Sequence, residues 1–436
     1  MSKKYYILGG VIVVLLLILA GMFIFGGKNT TNTGQSGQKV ELIWWKTFED
    51  QDNLTDLFND YQKTHKNVTV TFVKKNPADY EKELVDAIAS GRTPDIFTIH
   101  NDWLLKHIDK LSPMPEKLMT ARQYKDIFLD VASSDFVKDN KIYALPMSMD
   151  ILALYYNKDI FSTAGISSPP KTWPELVIDV EKITVQSSPG EFLKSGIAMG
   201  SSSNVNRAVD ILLLLMLQNG TKFYSDDMNN AVFDAQINSQ GSSFVPGAKA
   251  LEFYTQFANP AKKSYTWNTK SEFSIDAFTQ GKLGMILSYS YLEPILKTRA
   301  PNLSWDVAAV PQVDEQSTKV NYANYWGEAV SKFSSKQAVA WDFLNFITKK
   351  ENLAKYYAKH KLPAARKDMI DAQINDNDIG VFAENSLSAK SVPKKDVAGF
   401  EGVFLKMIDD VVLRSFKPEE AIRNAALQIN LSLRGK

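Results

Sequence analysis

Residues 141–176 read KIYALPMSMDILALYYNKDIFSTAGISSPPKTWPEL. Ile151 to Tyr156 gathers large apolar and aromatic side chains, which suits a buried strand or a short helix, and periodicity alone does not separate the two at this length. Asn157, Lys158 and Asp159 supply polar turn formers. Pro169-Pro170 fixes φ twice and holds the chain extended, so Thr172 falls where a helix N-cap belongs, Pro174 in the first turn and Glu175 at the reciprocal capping-box position. The stretch predicts an ordered apolar segment, a turn and a capped helix in immediate succession.

Outward from it the same alternation continues. On the N-terminal side, Val40 to Trp45 reads as a strand, Asn53 to Lys63 as an amphipathic helix, Val68 to Val73 as a strand, Tyr80 to Ala89 as a helix and Asp95 to Ile99 as a third strand. Crossovers of this length call for a mostly parallel sheet with helices on its faces. On the C-terminal side, Val205 to Gln218 is a strongly apolar helix closed by Asn219-Gly220. Its run Ile211 to Leu217 is too short to cross a bilayer. Helices at Ala248 to Phe257 and Ser271 to Gln280 precede strands at Leu283 to Tyr289 and Trp305 to Val310. Helices at Lys336 to Thr348 and Glu351 to Lys359, a mixed region and a closing helix near Pro418 to Leu431 complete the chain. No repeat of about 20–50 residues is present, which excludes solenoids and propellers.

A chain of 436 residues exceeds one ordinary core and implies two domains. Its 50 Lys and Arg against 49 Asp and Glu leave a net charge of +1. Such a balance creates no field to gather nucleic acid, which is excluded as a partner. Cysteine is absent, and with it disulfides, thiolate ligands and attachment of lipid through a cysteine. At the N-terminus two lysines precede Ile7 to Phe25, a run without any charged side chain whose 19 residues come close to the ~20 a spanning helix needs. It is longer than the ~7–15 residues of a signal-peptide core, and Phe23 and Phe25 make a poor cleavage site. The reading is an uncleaved single-pass signal-anchor with the remainder on the extracytoplasmic side.

Catalytic motifs are missing: there is no HExxH, GxSxG, Walker loop or GxGxxG after a strand. His65, His100, His107 and His360 are too scattered for a metal cluster, so no metal and no cofactor is expected. What recurs is polar and aromatic residues at strand ends, where open α/β sheets bind ligands. Trp45 and Glu49 follow the first strand, His100 to Trp103 the third, Tyr289 and Tyr291 the strand after Gly284, and Trp326 stands beside the small Gly327. Carboxylates that accept from hydroxyls, combined with flat rings that cover C–H faces, suit an uncharged di- or oligosaccharide. Lys46 is the one basic residue at these strand ends.

The opening stretch resembles the signature of the extracellular solute-binding proteins of ABC importers, family 1, the maltose- and oligosaccharide-binding class. Tyr143, Leu145-Pro146, Leu154 to Phe161, Gly165 and Pro169 to Leu176 carry the likeness. GRTPDIF at Gly91 to Phe97, LLLLMLQNG at Leu212 to Gly220, AFTQGKLGMILS at Ala277 to Ser288 and the block from Tyr325 to Thr348 follow in the same order. The resemblance implies a two-lobed periplasmic-binding-protein-like α/β fold with hinge crossings and an interlobe cleft. Its expected boundaries are a cytoplasmic stub and anchor at 1–27, a tether at 28–39, lobe 1 at 40–146 and 305–360, lobe 2 at 147–304, and a C-terminal helical region at 361–436 packing on both lobes. It implies that Asp102, Asp150, Tyr291 and Trp326 contact ligand, with Trp45, Glu49 and Tyr289 beside them. Trp267 lies in a region too variable to place. The expected function is capture of a sugar and delivery to an ABC permease by a tethered monomer without enzymatic activity. The alternatives are an anchored glycoside-active enzyme using Glu49, Asp102 or Asp150, and a sensory or adhesive sugar-binding ectodomain.

Overall fold

From its first described strand the chain lays down Val40–Lys46 (β1), Gln51–Thr64 (α1), Val68–Lys74 (β2), Tyr80–Ala89 (α2), Ile96–His100 (β3), Leu111–Ser112 (β4) and Leu145–Pro146 (β5). It then crosses to Ala153–Asn157 (β6), Trp173–Ile183 (α3), Val185–Ser188 (β7), Glu191–Ile197 (β8), Ala208–Gln218 (α4), Pro246–Thr255 (α5), Leu283–Ser288 (β9) and Trp305–Ala308 (β10). Asn321–Tyr322 (β11) leads back to Trp326–Ser331 (β12), followed by Gln337–Ile347 (α6), Lys350–Lys359 (α7), Ala389–Lys390 (β13), Val397–Val412 (α8) and Pro418–Leu433 (α9). The structure, a computed structural model, describes residues 38–239 and 241–435. The expected anchor at Ile7 to Phe25 and residues 28–37 of the expected tether lie outside the described residues. Among the described residues no helix is long and apolar enough to cross a membrane.

Two five-stranded paths form the cores. The first sheet runs β2-β1-β3-β12-β4, with β5 also on β12, and the second runs β10-β6-β9-β8-β7. β1 and β3 are parallel, Trp44 opposite Ile96, whereas β12 returns antiparallel with Trp326 opposite His100. In the second sheet β8 and β9 are parallel and β6 lies antiparallel to β9. The first four residues of β3 and all six of β9 are buried, as expected of strands covered on both faces.

Local chemistry explains the elements that the opening stretch predicts. Within the apolar run Ile151 to Tyr156, Ala153 to Tyr156 resolve as strand, not helix, because β9 and β10 pair with them from both sides. Asn157 caps the next short helix, its side chain accepting from the N–H groups of Asp159 and Ile160. Thr172 and Glu175 form the reciprocal capping box of α3. Gly327 sits in β12 for space, not flexibility: a Cβ there would lie 2.6 Å from the Phe136 ring.

Two boundaries differ from expectation. Trp305 does not begin the return to the first lobe, because β10 hydrogen-bonds along β6 as an edge of the second sheet; the chain goes back only after it, through β11 to β12. The region before the closing helix contains α8, whose Phe400, Phe404, Met407 and Ile408 are buried. The main contacts of α8 and α9 are with each other and with α4 and α5 of the second lobe. Between the sheets the crossing segments lie side by side. The Leu152 N–H donates to the Tyr322 carbonyl at 3.0 Å, Asn324 N–H to the Asp150 carbonyl at 2.9 Å and Met149 N–H to the Pro363 carbonyl at 3.0 Å.

Candidate ligand-binding cleft

Both lobes and the crossing segments line a cavity of about 870 Å³. On the first-lobe side β1 sets its wall by alternation. Leu42, Trp44 and Lys46 are buried, and Trp45 turns to the other face, where Lys75 Nζ lies 3.9 Å from its ring centroid. Trp45 therefore does not line the cavity; the strand continues through Lys46 instead of ending at Trp45. Lys46 pairs with Glu49 at 2.9 Å and with Glu328, which also accepts from Trp44 Nε1 at 2.8 Å. Burial opposes the Lys46 charge, but Glu328 and Glu49 outweigh it and hold the ammonium above its usual range. Glu49 lines the cavity and also accepts from the Tyr356 hydroxyl.

At the end of β3, His100 Nδ1 meets Asp102 at 2.6 Å, and Lys394 Nζ meets the other Asp102 oxygen at 3.0 Å, the Asp102 and Lys394 side chains each being 3% exposed. Asp102 lies behind the cavity wall rather than on it. Burial would raise its carboxyl, yet His100 and Lys394 overcome that and hold it well below the usual carboxylate range. Burial likewise opposes the His100 charge, and Asp102 overcomes it and raises the imidazole. Trp326 lines the cavity with ring centroids 5.0 Å from His100, 5.3 Å from Trp103 and 5.6 Å from Phe48.

Asp150, on the first crossing, lines the cavity and is held from the second lobe. Its oxygens accept from the Ser290 N–H at 3.1 Å, the Ser290 hydroxyl at 2.8 Å and the Ile151 N–H at 2.9 Å. Burial pushes its carboxyl up to about 7, with those hydrogen bonds pulling the other way. Tyr289 is 1% exposed and donates to Asp210 at 2.9 Å. It packs in the core because β9 ends at Ser288. Tyr291 lines the cavity, its hydroxyl accepting from Asn206 Nδ2 at 2.7 Å. Trp267 is buried in the second lobe and donates to Asn204 at 3.1 Å.

Of the seven expected contacts, Glu49, Asp150, Tyr291 and Trp326 come together around one cavity; Trp45, Asp102 and Tyr289 stand outside its wall. Among the wall residues that the reading of the strand ends missed are Phe48, Arg207 and Lys394. Arg207 precedes a helix and Lys394 precedes α8, so neither follows a strand that the pattern made visible.

Residues 45–354 match the family described as bacterial extracellular solute-binding protein. The chain belongs to that family. A binding protein of Brucella abortus is 26% identical over 366 residues, covering 81% of this chain and 83% of the relative. The galactooligosaccharide-binding protein of Bacillus subtilis is 22% identical over 343 residues, 78% of this chain and 76% of the relative. Among solved structures, the sugar-binding protein MalE of Xanthomonas citri superposes with a TM-score of 0.75 at 20% identity, covering 91% of this chain and 98% of that one. The two-lobed α/β fold is therefore that of an extracellular solute-binding protein. Chemically, this solute-binding cleft offers flat rings on both sides, carboxylate acceptors at Glu49 and Asp150, and a guanidinium at Arg207. Among the described residues no group of three or more His, Asp or Glu is arranged to hold a metal ion.

Proposed function

We propose that this solute-binding protein captures a saccharide, a di- or oligosaccharide, outside the cell and delivers it to an ABC permease. The observation that carries the reading is the combination, around one cavity of about 870 Å³, of aromatic faces at Trp326 and Tyr291 with carboxylates at Glu49 and Asp150. Rings cover the C–H faces of sugar units while carboxylates take hydroxyl hydrogens, and the size falls within the ~300–1,000 Å³ of ordinary ligand pockets. The names of the Bacillus and Xanthomonas proteins, a galactooligosaccharide-binding and a sugar-binding protein, point the same way. In this reading Glu49, Asp150, Tyr291 and Trp326 touch ligand, and Trp45, Asp102 and Tyr289 support the wall.

Binding without catalysis suits the carboxyls, since Glu49 is engaged by Lys46 and Tyr356 and Asp150 by Ser290. Ligand favours the closed arrangement of the lobes by its differential affinity for it, and the permease reads that arrangement. Ile7 to Phe25 holds the monomer to the membrane as a single-pass anchor. A thermal-shift screen against oligosaccharides, peptides and polyamines tests the reading. Saccharides should raise the transition, by roughly 2.7 kcal/mol of added stability at one hundred times the dissociation constant; a transition moved by peptides or polyamines and by no saccharide refutes it.

A further inference from the structure

Arg207 stands apart from every other cation around the cavity. Lys46 is committed to the buried Glu328 and to Glu49 at 2.9 Å, and Lys394 to the buried Asp102 at 3.0 Å. The Arg207 side chain is 37% exposed, and its nearest carboxylate, Asp210, lies 3.8 Å away, beyond hydrogen-bond distance. The Asp210 oxygen nearest the guanidinium already accepts from the Tyr289 hydroxyl at 2.9 Å. Among the described residues the one hydrogen bond of the guanidinium is Nε to the Tyr291 hydroxyl at 3.4 Å. A guanidinium carries five N–H donors in a planar fork, so most of this donor set has no protein acceptor.

The backbone directs that fork into the cavity. Arg207 has φ 60° and ψ 30°, the left-handed region, at the N-cap of α4, a conformation that costs a residue with a Cβ about 1 kcal/mol or more and that clusters at ligand sites. Its guanidinium carbon sits 5.3 Å from the Tyr289 ring centroid and 5.5 Å from that of Tyr291. The two phenol rings hold the planar group while taking only its Nε donor, at the Tyr291 hydroxyl.

We infer that Arg207 is a specificity-determining residue and that the saccharide it selects carries a carboxylate, as a uronic acid does. The inference rests on the saccharide reading and narrows it. A carboxylate matches the guanidinium fork with two parallel charge-assisted hydrogen bonds, which hydroxyl oxygens do only weakly. The neighbouring acids do not forbid the negative charge. Asp102 is neutralised by Lys394 and His100, the charge of Asp210 is offset by both Arg207 and Lys394, and the Asp150 carboxyl carries only part of its charge near neutrality.

The test is calorimetric titration of the full chain with trigalacturonate and with neutral galactotriose, for the wild type, Arg207→Gln and Arg207→Lys. The wild type should bind the acidic trisaccharide about tenfold or more tightly than the neutral one. Arg207→Gln should bring that ratio to about one, and Arg207→Lys should keep part of it. A wild type that binds galactotriose as tightly as trigalacturonate, or an Arg207→Gln protein that keeps the ratio, overturns the inference and leaves the saccharide reading standing. Binding of neither trisaccharide overturns it together with that reading's support from these sugars.

Discussion

Removing the ammonium of Lys394 should destabilise the protein more than any surface ion pair could. Lys394 and Asp102 meet at 3.0 Å with side chains each 3% exposed, so Lys394→Met leaves a buried carboxylate with His100 as its remaining charged partner. Asp102→Asn leaves a buried ammonium whose other acid, Glu401, is 3.6 Å away and half-exposed. Breaking one side of such a pair costs about 3–5 kcal/mol. At roughly 2.1 cal/mol/K per residue, a unit of about 400 residues has an unfolding entropy of about 0.8 kcal/mol/K, so each single variant should lose about 4–6 °C of melting temperature. The double variant, with both charges gone, should recover most of the loss, because the cost lies in an uncompensated charge rather than in the absence of a bond. The sign with pH follows from the depressed Asp102 carboxyl. Its contribution is complete above the unfolded value near 3.8 and is lost as pH falls below it. Circular-dichroism melts of the four proteins at pH 6 decide the matter. Single variants within 1 °C of wild type, or a double variant worse than the sum of the singles, would refute the reasoning.

The raised Asp150 carboxyl predicts a pH effect of the opposite kind. The native group keeps its proton up to about pH 7 whereas the unfolded one gives it up near 3.8, so this residue's contribution to stability should decline as pH rises from about 4 to about 7. Urea unfolding of Asp150→Asn should show that slope removed, and parallel profiles for the two proteins would contradict it. Gly327→Ala places a Cβ 2.6 Å from the Phe136 ring and 2.9 Å from Ala144 Cβ; overpacking of this kind costs about 1–3 kcal/mol. An unchanged urea midpoint would show that Phe136 yields freely.

The alternation of strands and helices was legible because each first-lobe element has its own local signal. Val40 to Trp45 and Val68 to Val73 are rich in β-formers, and Thr172 with Glu175 marks a helix start to the residue. The helix at Val397–Val412 was not legible, since Gly399 and Gly402 interrupt a pattern that only packing against α4, α5 and α9 completes. The cavity divides along the same line. Glu49, Asp150, Tyr291 and Trp326, which stand near strand ends or a crossing, line the cavity. Trp45 was assigned to the cavity as the last residue of the first strand, but the strand runs on to Lys46, and alternation turns Trp45 away from the face that Trp44 and Lys46 share. Asp102 illustrates a limit of pattern: its spacing from Asp95 suits a ligand contact, but Lys394 lies 292 positions later in the chain, and only the folded structure brings that ammonium to it.

The most direct test of the central claim, that a saccharide is held intact between the two lobes, is a calorimetric titration of wild type and Trp326→Ala with the oligosaccharide that most raises the melting transition, followed by recovery of the sugar. Trp326 supplies the broad ring on the first-lobe wall, and removing it deletes a stacking face worth about 1–2 kcal/mol, including its lost apolar contact. One saccharide per chain, returned chemically unchanged, with affinity weakened about fivefold to thirtyfold in the variant, is the predicted result. Cleavage of the sugar, or equal affinity in Trp326→Ala and wild type, would contradict it.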